Sequence, residues 1–222
     1  MLRYFYRLIN LFPSGKLTEP PATLYRFCRH YMKGAEIYFI LLAIATFCVA
    51  VGEAMLFGVL GTILDWLAEK DPQAFLQEER LTLLGLSLFI LIAMPVIVFF
   101  HSVILYQSLM GNFPMVVRWL SHCYLLDQSY AFFQNEFSGR IATKVMQTAL
   151  AVRETIIKTL DVLLFVTVYL ATALLLIANA DLRLCIPLII WLAVYLCILR
   201  YLIPKLRHIS RIQAASRPHM TG

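Results

Sequence analysis

Four long apolar stretches alternate with polar and basic stretches along this chain of 222 residues. A run of about 20 apolar residues is enough to cross the roughly 30 Å hydrocarbon core of a bilayer as a helix. The apolar stretches therefore predict four transmembrane helices. Their expected bounds are residues 37–64, 81–110, 159–178 and 184–203.

The polar stretch 127–157 leads directly into the third apolar stretch. After Gly139, no glycine or proline interrupts it, so the pattern predicts one helix from Arg140 to about Ala178. At 1.5 Å per residue, about 39 residues would extend nearly 60 Å, roughly twice the thickness of the bilayer core. The first half of this helix must therefore lie in water. Its apolar stripe there predicts that neighbouring helices leave the membrane and pack against it. The stripe consists of Ile141, Val145, Ala149, Val152 and Ile156.

Composition and charge strengthen this interpretation. Hydrophobic residues make up 61% of the chain and charged residues 14%, which excludes an ordinary soluble domain and indicates an integral membrane protein. The formal net charge of +6 would suggest nucleic acid as the partner of a soluble protein. Here the Lys and Arg residues concentrate in residues 1–35, in residues 111–158 and after residue 203, and the positive-inside rule places all three segments in the cytosol. We therefore predict an all-α membrane protein with cytosolic termini and no nucleic-acid partner.

The N-terminal arm, residues 1–35, is basic and lacks the apolar core of a signal peptide. It either begins with a short helix in the membrane interface or forms a disordered tail that contains aromatics, and its prolines leave both alternatives open. The apolar face of that helix would carry Leu2, Phe5, Ile9 and Phe12. A second helix is predicted between Leu24 and Lys33.

Two ionisable side chains stand out within the first two predicted spans. Glu53 must face protein or a water-filled cavity, either as a substrate or coupling residue or as a hydrogen-bonded packing residue. His101 is expected to be a hydrogen-bonded interior residue rather than a metal ligand or proton relay. The two are not expected to pair, because counting along the helices separates their depths by roughly 12 Å.

Packing features also occur in these two spans. Pro95 predicts a kink in the second span. A ridge of small side chains along the first span predicts a close contact with another helix. This ridge consists of Thr46, Ala50, Ala54, Gly58 and Thr62.

Known catalytic and ligand-binding patterns are absent from the sequence. The pair Gly15 and Lys16 lacks the remaining residues of a phosphate-binding loop, and the adjacent His122 and Cys123 are not at metal-ligand spacing. The five cysteines form no CxxC pair, so we expect free thiols. The sequence thus predicts no catalytic residues, no metal site and no cofactor bound by this chain.

Aromatic residues are unusually dense in the cytosolic segment between the second and third spans. Phe132, Phe133 and Phe137 have no lipid to enter at the tip of a two-helix protrusion. They either dock into a groove of another protein or domain, or cap the local helix bundle. Their spacing leaves both alternatives open.

The run FFQNEFSGRIATKVMQTALAVRETI resembles the first intracellular loop of type-1 ABC exporters, in which an aromatic pair and a short coupling helix precede the long third helix. The segments MLRYFYRLINLFP, PPATLYRFCRHY, GNFPMVVRW and ISRIQAASRPHMTG extend the resemblance to proteobacterial multidrug-type half transporters, which fuse six spans to an ATPase domain. The resemblance implies a coupling helix from Tyr130 to Phe137 with Phe132 and Phe133 as its anchors. Asn135 and Gly139 belong to the same motif.

The chain departs from the pattern of that family in two respects. Thr143, Lys144 and Thr148 stand where many exporters have Ser-Arg followed by Asp. The last two spans and the ATPase domain of the family have no counterpart, and Pro218 falls where the fourth helix of the family continues. The resemblance therefore implies an exporter transmembrane domain that is truncated before those parts.

The function implied by the resemblance is the transmembrane portion of an ATP-driven exporter of the bacterial inner membrane. Its partners would be a nucleotide-binding domain, which carries ATP and Mg²⁺, and a second transmembrane half in a homodimer or heterodimer. The chain itself would not hydrolyse ATP. The alternative is a standalone four-span membrane interaction protein or a non-functional truncated remnant.

Overall fold

The computed structural model describes Phe12, Pro21 and residues 23–69, 79–135 and 138–216. Every regular element in these residues is a helix. Four helices are long and apolar enough to cross a membrane, which confirms the prediction of an all-helical chain with four such helices. They cover Glu36–Ala68, Arg80–Leu126, Gly139–Ala180 and Leu182–Arg207.

We number the helices α1 to α6 and treat consecutive helical segments as one helix. The first two are α1, Leu24–Met32, and α2, Glu36–Glu69. Helix α3 covers Arg80–Leu126, and α4 is the short helix Tyr130–Asn135. Helix α5 is formed by the segments Ser138–Ile157, Lys158–Leu163 and Leu164–Ala180. After a 3-10 turn at Leu182–Leu184, α6 spans Cys185–Ser216.

The helix boundaries largely follow the predicted pattern. Helix α5 is continuous over the predicted range, and α1 lies where the second N-terminal helix was predicted. Gly34 separates α1 from α2 with a φ of 87°, a left-handed conformation that favours glycine. The first apolar stretch was expected to end at residue 64, but α2 continues through Glu69, because nothing between Asp65 and Glu69 breaks a helix.

Most of the predicted interfacial helix, and also Pro218, lie outside the described residues. Phe12 is the exception, and its ring meets that of Trp119 edge to face at a centroid distance of 4.9 Å. This contact attaches part of the N-terminal arm to the second half of α3.

The contacts divide the chain into two compact units, Met1–Leu170 and Ala171–Gly222. Within the second unit, the Sγ of Cys185 donates to the carbonyl of Leu174 at 3.8 Å, and the rings of Trp191 and Tyr195 stack at 5.6 Å. The candidate site described below lies entirely within the first unit.

The core of the first unit joins α1, the start of α2, the second half of α3 and the first half of α5. Phe39 and Phe113 are almost completely buried, and their rings pack edge to face at 5.0 Å. From the predicted stripe of α5, Ala149, Val152 and Ile156 are buried, while the two stripe residues before them are partly exposed. The stripe is therefore packed by neighbouring helices, as its pattern predicts.

The cysteines are free thiols among the described residues, as expected. Burial raises the pKa of the Cys28 thiol in α1, which keeps that thiol protonated and unreactive. In the same helix, burial and the nearby charge of Lys33 lower the pKa of His30.

Three segments of the long helices are π-helical: π1, Phe89–Ala93, and π2, Val103–Met110, in α3, and π3, Lys158–Leu163, in α5. A proline ring crowds the carbonyl four residues before it. For Pro95 that carbonyl belongs to π1, and for Pro114 it belongs to the last residue of π2. The wider i→i+5 bonding of a π-helix relieves this crowding. No proline follows π3 in the same way, so π3 needs another cause.

A close contact between α2 and α3 occurs at Gly52. A Cβ atom built there would lie 2.5 Å from the Sδ of the buried Met94. We expect Gly52→Leu to lower the free energy of unfolding by about 1–3 kcal/mol, since the larger side chain overfills this contact. The same change at Gly61, where nothing lies within 4 Å, is the matched control. Thermal unfolding of the detergent-purified variants tests this, and equal stabilities would show that α2 and α3 do not pack at Gly52.

Candidate functional site

A cluster of three polar side chains joins three long helices in the first unit. The Nε2 atom of His101 in α3 lies 2.8 Å from the Oδ1 atom of Asp161 in α5. The Oγ1 atom of Thr46 in α2 lies 3.2 Å from that nitrogen and 3.4 Å from that oxygen. We call these three residues the polar layer.

The polar layer lies one helical turn beyond the hydrophobic core on each helix. Thr46 follows Leu42 of the core, and Asp161 follows Ile157. His101 precedes Leu105 by the same spacing. The layer is largely enclosed: Thr46 is 1% exposed, and the side chains of His101 and Asp161 are 16% and 24% exposed. It therefore lies at the end of the hydrophobic cluster that α5 shares with α2 and α3.

The 2.8 Å contact constrains the protonation of the layer. A proton must lie between Nε2 and Oδ1, because two bare lone pairs at that distance would repel each other. The hydroxyl of Thr46 donates to Asp161, while its oxygen can accept from the imidazole. Each member is thus paired, which an ionisable group in so enclosed a place requires.

The contact also reveals a conflict between the predicted span boundaries. Thr46 and His101 each lie nine residues inside the expected cytosolic ends of their spans, at residues 37 and 110, whereas Asp161 lies two residues inside the span expected from residue 159. At 1.5 Å per residue, the predicted depths differ by about 10 Å, yet the side chains touch. Hydropathy treats each helix alone, whereas in the structure the start of α2 and the second half of α3 pack against the first half of α5.

The structure places Glu53 differently from His101. Glu53 is partly exposed, and it has no hydrogen-bond or ion-pair partner among the described residues. It does not contact His101, which instead binds Asp161 and Thr46. The alternative of a hydrogen-bonded packing role for Glu53 therefore has no support in the described part of the chain.

The small-residue ridge of α2 is buried over only part of its length. Thr46, Ala50 and Ala54 are at most 1% exposed. Gly58 is partly exposed, and the exposed Thr62 donates back to the carbonyl of Gly58 at 3.1 Å. The helix contact thus covers the first three ridge residues, and Thr46 adds hydrogen bonds to it.

The predicted coupling residues lie on and around α4, between the two long helices α3 and α5. Tyr130 is 78% exposed, Phe132 36% and Phe133 42%. The Phe132 and Phe133 rings contact each other edge to face at 5.3 Å. Gly139 lies in the first turn of α5 with open space around it. Phe137 and the side chain of Asn135 lie outside the described residues.

Asp161 is the residue that the sequence interpretation missed. An aspartate two residues inside a predicted span is costly in lipid and signals a buried partner, so its position alone could have marked it. No pattern in the sequence links it to His101, which is 60 residues away. Among the described residues, no group of three His, Cys, Asp or Glu side chains could hold a metal ion.

Comparison with known proteins identifies a homologue in Haemophilus influenzae, named an uncharacterized ABC transporter ATP-binding protein. It is 39% identical over 219 residues, which cover 99% of this chain. The chain spans only 36% of the length of that relative. No protein-family model and no solved structure matches the chain. Together with the four long apolar helices, this similarity indicates a multi-pass membrane protein.

Proposed function

We infer that the chain is the transmembrane-domain portion of an ATP-driven ABC exporter. In this role it forms part of the substrate pathway and receives conformational changes from a nucleotide-binding domain. ATP and Mg²⁺ bind to that domain and not to this chain. The chain lies in the bacterial inner membrane with both termini in the cytosol, and a second transmembrane half completes the pathway.

The observation that carries this proposal is the exposure of the aromatic pair in α4. Phe132 and Phe133 contact each other, but 36% and 42% of their surfaces are left uncovered at the junction of two long helices. An aromatic pair in a polar segment that stays exposed favours docking over capping of the local bundle. Aromatic side chains are also the residues that most often anchor a protein interface.

The packing behind α4 suits the transmission of force. Helix α4 is flanked by the second half of α3 and the first half of α5, which share the hydrophobic core. Since a packed core moves as a unit, a displacement of α4 reaches the spans through α3 and α5 together. The name of the Haemophilus relative supports an ATPase as the source of that displacement.

Association with an ATPase is the direct test. We expect the tagged chain, solubilised from native membranes in mild detergent, to retain a nucleotide-binding subunit and ATP hydrolysis after purification. Vanadate-sensitive hydrolysis that co-elutes with the chain supports the proposal. An unrelated four-span protein, purified in the same way, gives the background level of vanadate-sensitive ATP hydrolysis.

The opposite result has a definite meaning. If the chain elutes alone and a supplied nucleotide-binding domain does not bind it, the exporter role is wrong. A four-span membrane protein that interacts with other partners is then the alternative.

A further inference from the structure

We propose that one side of α1 binds the phosphate groups of anionic phospholipids in the bilayer leaflet next to it. This side consists of Arg26, Arg29 and Lys33, and we call these three residues the basic face. The lipid site goes beyond the exporter role and does not depend on it. It requires only that α2 spans a membrane.

Helix α1 has one packed side and one charged side. Cys28 and Tyr31 are buried in the hydrophobic core, and Phe27 and Met32 are partly buried against it. Residues 26, 29 and 33 recur at helical spacing on the other side, and their side chains are all exposed. The packing of α1 on the core therefore directs the basic face outward, toward the surroundings of the protein.

The charge of the basic face is not neutralised within the described part of the chain. Helix α1 contains no Asp or Glu. None of the three basic side chains has an ion-pair or hydrogen-bond partner among the described residues. The neighbouring His30 adds no charge near neutral pH, because burial and the charge of Lys33 lower its pKa. The face thus presents three positive charges to an external anion.

The basic face lies close to the lipid-facing surface of α2. Ile37 and Ile40 in the first turns of α2 are exposed apolar side chains, which on a spanning helix contact lipid. The turn that joins α1 to α2 is compact, since the Ala35 N–H bonds to the Met32 carbonyl at 2.9 Å. The four residues from Lys33 to Ile37 extend at most about 14 Å. The basic face therefore begins within that distance of the lipid chains.

That distance is within the reach of anionic headgroups. The headgroup layer adds about 5–7 Å to each side of the hydrocarbon core. The field of its charges extends about 8–10 Å further at physiological salt. Tyr25, which is 71% exposed in the first turn of α1, has the ring and the hydroxyl that favour the boundary between lipid and water. A lipid phosphate is therefore the nearest abundant anion to the basic face.

An acidic protein is the other class of partner that three positive charges would fit. The position of α1 favours lipid, because a short turn joins it to a spanning helix and brings the basic face to the headgroups without a separate association step. Basic side chains immediately outside a span are also the feature by which membrane proteins retain anionic lipids. The geometry thus selects the lipid surface.

The test measures the lipid preference beside α1 in the 222-residue chain reconstituted into bilayers. Tyr25→Trp supplies a single fluorescent reporter once the three native tryptophans are replaced by phenylalanine. Lipids with brominated chains quench a neighbouring tryptophan, so mixtures of brominated phosphatidylglycerol with phosphatidylcholine, and the reverse, give the relative affinity of the two lipids at this position. We expect phosphatidylglycerol to be preferred at least about fivefold, the factor that a single basic side chain contributes near an anionic surface.

Replacing all three residues of the basic face with glutamine should reduce that preference to less than about twofold. Arg26→Lys with Arg29→Lys keeps every charge and should retain the preference, which separates the effect of charge from that of side-chain shape. Arg80→Gln is the matched control, because it removes an exposed basic side chain at the far end of α3. This control should leave the preference unchanged.

A preference for phosphatidylglycerol that survives the loss of all three charges would overturn the proposal. Absence of quenching by either lipid would do the same, since α1 then lies away from the bilayer and its charges suit an acidic protein. If the glutamine variant does not fold, salt replaces it. Raising the salt from 0.1 M to 1 M shortens the Debye length from about 10 Å to about 3 Å and should lower the preference at least about twofold. A preference that is constant in salt would reject the site.

Discussion

Replacing Phe132 and Phe133 together with alanine is expected to abolish the stimulation of ATP hydrolysis by transported substrate, while the chain still inserts and folds. Under the proposed function these two exposed rings anchor α4 in the nucleotide-binding domain, and an aromatic anchor at the centre of an interface contributes about 2 kcal/mol or more. Loss of both should weaken docking of the nucleotide-binding domain by about a hundredfold or more. The measurement is ATPase activity of the reconstituted complex with and without substrate.

The chain offers a matched control for this experiment. Phe99 and Phe100 form another adjacent, exposed pair, with ring centroids 5.9 Å apart and exposures of 63% and 55%. They lie in the apolar part of α3, where they have lipid to contact. Their replacement by alanine should leave substrate stimulation intact. If substrate still stimulates ATP hydrolysis normally when Phe132 and Phe133 are both alanine, α4 does not dock the nucleotide-binding domain.

Phe113→Ala should destabilise the helix bundle strongly, because it removes a ring from the most tightly packed part of the protein. The side chain is 0% exposed, contacts Phe39 edge to face and lies within the core that joins α2, α3 and α5. Truncation of a buried phenylalanine leaves a cavity and costs about 3–5 kcal/mol. The expected result is a large fall in the midpoint of thermal unfolding in detergent.

Phe99→Ala is the control for that variant too, since its ring is mostly exposed and its loss creates no cavity. The midpoint of the control should remain close to that of the unmodified chain. If Phe113→Ala unfolds at the same temperature as the control, the core does not hold the long helices together.

Much of the architecture could be predicted from local pattern. The apolar runs and the absence of helix breakers after Gly139 predicted the four long helices and the continuity of α5, and the stripe through Ala149 and Val152 predicted the face of α5 that is packed. These features depend on residues close in the chain, so hydropathy and helical periodicity capture them. The resemblance of the loop around Phe132 and Phe133 likewise rests on neighbouring residues.

The polar layer could not be predicted in the same way. His101 is 55 residues from Thr46 and 60 from Asp161, and each of the three has an ordinary explanation when viewed alone. Thr46 was interpreted as a packing residue, His101 as a hydrogen-bonded interior histidine, and Asp161 was not singled out. Whether these three side chains come into contact depends on how far each helix extends past its neighbours, and hydropathy does not specify this.

The sequence by itself therefore determined the helical class, the number of long apolar helices and the packed stripe of α5, because these follow from periodicity within single helices. Only the tertiary structure decided the register between the helices. That register sets Gly52 against Met94 and brings Asp161 to His101. The physical reason is that relative helix position is selected by side-chain packing summed over the whole core, and no single segment contains that information.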